Sequence, residues 1–238
     1  MLPWNVEDLT FDATKFRGKT RLFPLPDLVM FPHVMQPVHI FESRYREMLN
    51  AALDSDGLIA MSVLAPGWEA DYDSRPAVMP YACLSRIVTH QRTEEGHYNI
   101  LLLGLRRVRI DLELPPIVSY READVTVLED HISTENDADR LSLQTALTKR
   151  FEETLPPGQP TNPAFQELLS SEVPLSVLTD LVSFATQIDF ETKCELLGEC
   201  DVDRRAALLL EAMDLVSLDV PPPQPKRRSG YLPPFSKN

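Results

Sequence analysis

The chain has no run of about 18 apolar residues, the length an α-helix needs to cross a bilayer. Its N-terminus, MLPWNVEDLTFDATKFRGK, carries acids where a secretory signal carries positive charge. No membrane association is expected, and a cytoplasmic location is. Cysteine is scarce: Cys83, Cys194 and Cys200 are too few for a disulfide framework and lack the spacing of a zinc site. They read as buried free thiols. Glycine is scarce as well, with eight in 238 residues and none in a G-x-x-x-x-G-K-[ST] array, so no loop is built to cradle a triphosphate. Ser85, and Ser170 and Ser171 of LSSE, have no His or Lys at a recognisable nucleophile spacing. No catalytic residue, cofactor or metal is therefore expected, and the chain does not read as an enzyme.

Positive charge is the remaining shortage. Lysine and arginine number 23 against 36 acids, a net charge of −13. Lys226, Arg227, Arg228 and Lys237 lie in a tail without acids, so residues 1 to 220 hold 19 basic residues against 36 acidic, or −17. Nucleic-acid affinity rests on cations that neutralise phosphates, and a body this acidic disfavours that partner.

What is present is 43% hydrophobic content, enough for one large or two small globular domains. From Thr20 to about Glu129 short β-type runs alternate with turn signals. TRLFPLP and VMQPVHI are interrupted by proline, which predicts edge or irregular strands rather than central ones. CLSRIVTHQ and YNILLLGL read as a hairpin joined by RTEEGH, where Gly96 can supply a positive φ. RRVRIDLEL and YREADVTVL continue the series, and strands of this kind suit a small closed or nearly closed barrel.

One helix interrupts the strands. Between Glu42 and Leu53, Tyr45, Met48, Leu49 and Ala52 recur at helical spacing, and DSDG stops the pattern. If Phe41 enters the helix it joins the stripe, while Glu42 and Arg46 sit at i, i+4 for a surface pair. Arg44 points elsewhere, toward carbonyls at a strand edge. His33 and His39 lie near Glu42, a weak metal or acid-base pattern without a third ligand. Trp68 and Tyr72 sit on a long loop, either tucked beneath it or offered to a protein partner.

After residue 130 the period changes to 3.6. A helix starting near the caps of STENDADR carries Leu143, Leu147 and Phe151, and LPPGQPTNP breaks it. A second places Leu175, Leu178, Leu181, Val182 and Ala185 on one face; a third is capped by Asp189; a fourth aligns Val202, Ala206, Leu209, Leu210 and Met213. From Asp219 onward the chain is Pro-rich and basic.

The ordered segments Leu22–Leu25, Phe31–Pro32 and His39–Arg46, followed by GLRRVRI and the ELL…DVDRR junction, resemble the N-terminal substrate-recognition domain of Lon proteases over roughly residues 20 to 218. In that family His39, Phe41, Glu42, Arg44, Tyr45 and Arg46 match a signature segment. The resemblance implies an α+β fold: a PUA-like β-barrel with an inserted helix, followed by a small C-terminal helical bundle. The expected divisions are an N-terminal arm over 1–19, a barrel over 20–130, a bundle over 131–218 and a basic tail over 219–238. The resemblance also implies a non-catalytic module that binds polypeptide clients or a protein partner, such as a Lon protease system, in a groove between barrel and bundle. The ATPase and protease modules of full Lon proteases have no counterpart in these residues, which reads as a stand-alone N-domain protein. An RNA-binding PUA-like protein is the alternative, with only the KRR tail to contact phosphate. A small-molecule pocket of the kind found in eukaryotic relatives lacks their zinc-binding cysteine pairs.

Overall fold

The structure is a computed structural model, and it describes residues 11–72, 74–132, 137–154 and 173–217. The N-terminal ten residues, most of STENDADR's caps, the LPPGQPTNP breaker, Ser170, Ser171 and the basic tail lie outside the described residues.

Six strands form one sheet: β1 (Lys19–Leu25), β2 (Met35–Ile40), β3 (Leu58–Val63), β4 (Tyr81–Arg92), β5 (Tyr98–Glu113) and β6 (Arg121–Leu128). Their order is β2-β5-β4-β3-β1-β6, with a further pairing of β5 to β6. The pairings β5–β4–β3–β1–β6 thus return to β5, and β2 is appended to the first half of β5. β1 and β3 run parallel; the other pairs are antiparallel. RRVRIDLEL is not a separate strand but the second half of the 16-residue β5.

Alternation along the strands feeds two apolar clusters. Leu22, Leu58, Ala60, Ala82, Leu84, Val108, Ala123 and Val125 form one, with small residues suited to a confined interior. Phe23, Leu25, Ile59, Met61, Val63, Ile100 and Leu102 belong to the other, which also takes in the helices. β3 is buried along its whole length because both of its faces meet a cluster. This corrects the expectation for β1: despite Pro24 it lies between β3 and β6. The expectation holds for β2, which contains Pro37 and pairs only with β5 among the described strands.

Among the described residues there are five α-helices: α1 (Ser43–Leu53), α2 (Asp137–Thr154), α3 (Leu175–Ala185), α4 (Phe190–Gly198) and α5 (Val202–Ser217). α1 buries Tyr45, Met48, Leu49 and Ala52 against the sheet. Phe41 is not part of that stripe, because the helix starts one residue after Glu42. α2 and α3 both pack on α5, and α4 touches β4 and β5. Asp189 caps α4 as its position predicts, its carboxylate accepting from the Thr192 amide at 2.8 Å. α3 departs from expectation: Ala185 is exposed, while Thr179, Asp180 and Ser183 are buried.

Two glycines set how closely these layers approach. A Cβ on Gly104 would lie 2.1 Å from the Phe31 carbonyl oxygen, and one on Gly198 would lie 2.4 Å from the Tyr81 ring. Neither position accepts a side chain without movement.

Candidate functional site

The signature segment lies where β2 turns into α1. Glu42 is extended at the helix entrance, and its carboxylate is shared by two partners. Arg44 donates to one oxygen from Nε at 2.9 Å and Nη2 at 2.8 Å, and the Tyr72 hydroxyl donates to the other at 2.9 Å. The Arg44 guanidinium also lies 4.8 Å from the Tyr45 ring centroid and 5.2 Å from that of Tyr72. Tyr72 in turn meets Trp68 edge-on at 5.5 Å. The loop aromatics and Glu42, Arg44 and Tyr45 of the signature segment therefore form a single cluster.

Two expected pairings are corrected by this geometry. Glu42 pairs with Arg44 and not with Arg46: its backbone carbonyl accepts from the Arg46 amide at 3.0 Å, while its carboxylate turns to Arg44 and Tyr72. It is Arg46, not Arg44, that reaches a carbonyl, that of Gly96 at 3.3 Å. Burial pushes the Tyr45 hydroxyl up to about 12, and burial together with the Glu42 carboxylate pushes Tyr72 up also. Neither phenol is poised for proton transfer at neutral pH.

Beside the cluster runs an open groove of about 620 Å³. Its floor is apolar, with Phe23, Leu25, Leu28, Val38, Ile40 and Tyr45 along it. The five consecutive residues Gln36 to Ile40 of β2 form one wall, and Asp27, Glu42 and Glu95 place carboxylates on its lining. At its end His39, Phe41 and His97 gather, with ring centroids 5.4 to 6.2 Å apart. His39 is fixed by Asn99 at 2.7 Å, whereas His33 bonds Gly104 through its amide and lies 4.0 Å from Asp180. The two histidines are thus not brought together, and among the described residues no group of three His, Cys, Asp or Glu could hold a metal.

The junction of sheet and helices holds a buried ionic seam that the sequence reading missed. Arg107 of β5 donates to both Asp180 oxygens of α3 and to Asp130 at 3.4 Å. Arg205 of α5 donates to both Asp130 oxygens at 2.9 and 3.0 Å, to the Glu199 carbonyl at 2.8 Å and to Thr179 at 3.2 Å. Asp180 and Arg205 are each 0% exposed. Two arginines and two aspartates balance in charge, the condition under which such burial is tolerated. The signal was present in the sequence: Asp180 interrupts the apolar face of PLSVLTDLVSFA, and Arg205 shares a helical face with Val202 and Leu209.

The sequence profile of the ATP-dependent protease La (LON) substrate-binding domain matches residues 19–214. The chain belongs to this family. A Lon protease from the Aster yellows witches'-broom phytoplasma is 20% identical over 200 residues, covering 82% of this chain and 25% of that relative. Lon protease 2 of Syntrophobacter fumaroxidans is 25% identical over 125 residues, covering 52% of this chain and 16% of that protein. The chain therefore spans between about a sixth and a quarter of the length of these curated relatives. Among solved structures, the N-terminal domain of Mycobacterium avium complex Lon protease superposes with a TM-score of 0.64 at 16% identity, covering 82% of this chain and 98% of that one. A Lon N-terminal domain protein from Xanthomonas campestris gives 0.58 at 20% identity, covering 81% and 97%. The fold is the mixed α+β architecture of Lon N-terminal domains, and the matched family model is that of a substrate-binding domain. No helix among the described residues is long and apolar enough to cross a membrane.

Proposed function

We propose that this Lon substrate-binding domain is a non-catalytic recognition module that holds an extended stretch of polypeptide in the groove along β2. The observation that carries this reading is the groove itself: an open apolar floor of about 620 Å³ beside a strand whose second edge has no strand partner among the described residues. Such an edge offers backbone hydrogen bonds, and the apolar floor takes alternate side chains. The proposed surface is on β2 and not at the sheet–helix junction, which holds the ionic seam. Trp68 and Tyr72 stand beside the groove as proposed protein contacts, held by Arg44 and Glu42.

The same reading takes the returning strand circuit as a closed PUA-like barrel over 20–130, with the helices of 131–218 as a bundle. The RNA-binding alternative gains no support, since the relatives are Lon proteases and Lon N-terminal domains.

The test is retention of a permanently unfolded client, reduced and carboxymethylated lactalbumin, by the immobilised full chain. Retention is expected for the wild type and lost in Val38→Glu and Leu28→Glu variants whose melting temperatures are unchanged. Equal retention by wild type and both variants would remove the groove from the account.

A further inference from the structure

A second cavity lies at the N-terminal end of β1, beside the apolar cluster that holds Leu22 and Leu58. It has a volume of about 790 Å³ and is walled by Phe11, Phe16 and Leu58. Its charge is opposite to that of the molecule as a whole. Lys15, Arg17, Lys19, Arg21 and Arg86 line it, against the acids Asp12, Asp56 and Glu122. Each acid is already engaged: Asp12 with Lys15 at 3.2 Å, Asp56 with Arg21 at 2.9 Å, Glu122 with Lys19 at 3.0 Å. Arg17 and Arg86 are left with no carboxylate among the described residues; the contact Arg86 makes is a 3.4 Å bond to the Asp56 carbonyl.

Three of the lining residues also carry a buried side-chain atom without a hydrogen-bond partner, Thr20 Oγ1, Arg21 Nε and Arg86 Nε. Thr20 is 2% exposed, so its hydroxyl has little access to bulk solvent. The aromatic wall is held in place: Phe11 and Phe16 meet edge-on at 5.7 Å, and the Arg106 guanidinium lies 5.5 Å from the Phe11 ring.

We infer that this cavity is a binding site for a phosphorylated small molecule of mononucleotide size. Its phosphate faces Arg17 and Arg86, whose planar forks match phosphate oxygens, and its ring lies against Phe11 and Phe16. The volume falls in the range of small-molecule pockets. The surplus of two positive charges suits one phosphate and is far too small for the backbone of a nucleic acid.

The experiment is isothermal titration of the full chain with AMP, adenosine and inorganic phosphate at constant ionic strength. Saturable binding of AMP, weaker binding of inorganic phosphate and none of adenosine are expected. Arg17→Glu and Arg86→Gln should each weaken AMP by about tenfold, the equivalent of one lost charge-assisted hydrogen bond. Arg92→Glu, on the exposed β4–β5 hairpin, should leave it unchanged. Arg17 is exposed, so its variant is expected to fold and to report binding. Absence of saturable AMP binding would overturn the inference, as would equal weakening by Arg92→Glu. Tighter binding of a twelve-nucleotide RNA, with a salt dependence spanning several phosphates, would overturn it in favour of a nucleic-acid surface.

Discussion

Replacing Asp180 with asparagine perturbs the ionic seam at its most enclosed point. The substitution keeps the side-chain volume but leaves Arg107, 3% exposed, and Arg205, 0% exposed, sharing Asp130 as their carboxylate partner. Removing one member of a buried charge pair costs about 3–5 kcal/mol, because the remaining charge loses its counter-ion and stays out of water. Against a total stability on the order of 5–15 kcal/mol, that is a large fraction. The companion variant Asp180→Leu with Arg107→Met removes both charges and should recover most of the loss, since apolar replacement of a buried pair is often near neutral. Urea unfolding followed by far-ultraviolet circular dichroism measures both, with the slope compared so that early release of the helices is detected. A cost under about 1 kcal/mol for Asp180→Asn, or a double variant as unstable as the sum of its parts, would refute a balanced seam.

Other consequences are open to simpler measurements. Tyr45→Ala should cost about 3 kcal/mol or more by leaving a cavity against Phe23, whose ring centroid is 4.6 Å away, while Tyr45→Phe should cost under about 1 because its hydroxyl reaches only the Pro24 carbonyl at 3.5 Å; chemical denaturation compares them. Gly104→Ala should destabilise strongly, since the new methyl meets backbone at Phe31, whereas Gly198→Ala should be rescued by Tyr81→Ala, which removes the ring it strikes. The His33 imidazole titrates below its ordinary range through burial, opposed by the Asp180 carboxylate and assisted by Arg107 and Arg106. Its neutral form is therefore favoured by folding, so its contribution is present above the unfolded value of 6.5 and lost as the pH falls through the lower folded value; His33→Asn, which tolerates the positive φ of 66°, should flatten the stability profile there. Burial pushes the Cys83 thiol up to about 12 and Cys194 up to about 11, so thiol reagents at neutral pH should modify half-buried Cys200 first and Cys83 only on unfolding.

Local pattern made much of this legible. The β4–β5 hairpin, with Gly96 at φ 80°, and the Asp189 cap follow from rules that act over a few residues. The stripe of Tyr45, Met48 and Ala52 likewise needed nothing beyond helical spacing. What failed depended on contacts distant in sequence. The Pro24 strand is interior because parallel pairing with β3 and antiparallel pairing with β6 both find it, and proline in a strand says nothing of that. Glu42 was paired wrongly because Tyr72, 30 residues away, and the helix boundary decide its geometry. The seam escaped notice for the same reason: its arginines and aspartates are 73 and 75 residues apart. Trp68 and Tyr72 stand out in the sequence only as loop aromatics, and it is the fold that places them beside Glu42 and Arg44.

The returning circuit of strands also constrains how the chain assembles. β4 and β5 are joined across the short turn from Arg92 to Tyr98, while β1 pairs residue 19 with residue 124. Closing the longer loop spans roughly four doublings in length, about 2.5 kcal/mol of additional chain entropy. The hairpin is thus expected to form early, and the pairing of β1 with β6, the longest-range one in the sheet, to close last. Until then β1 and β6 both present bare edges, and a nascent or truncated chain in that state is open to pairing with its neighbours.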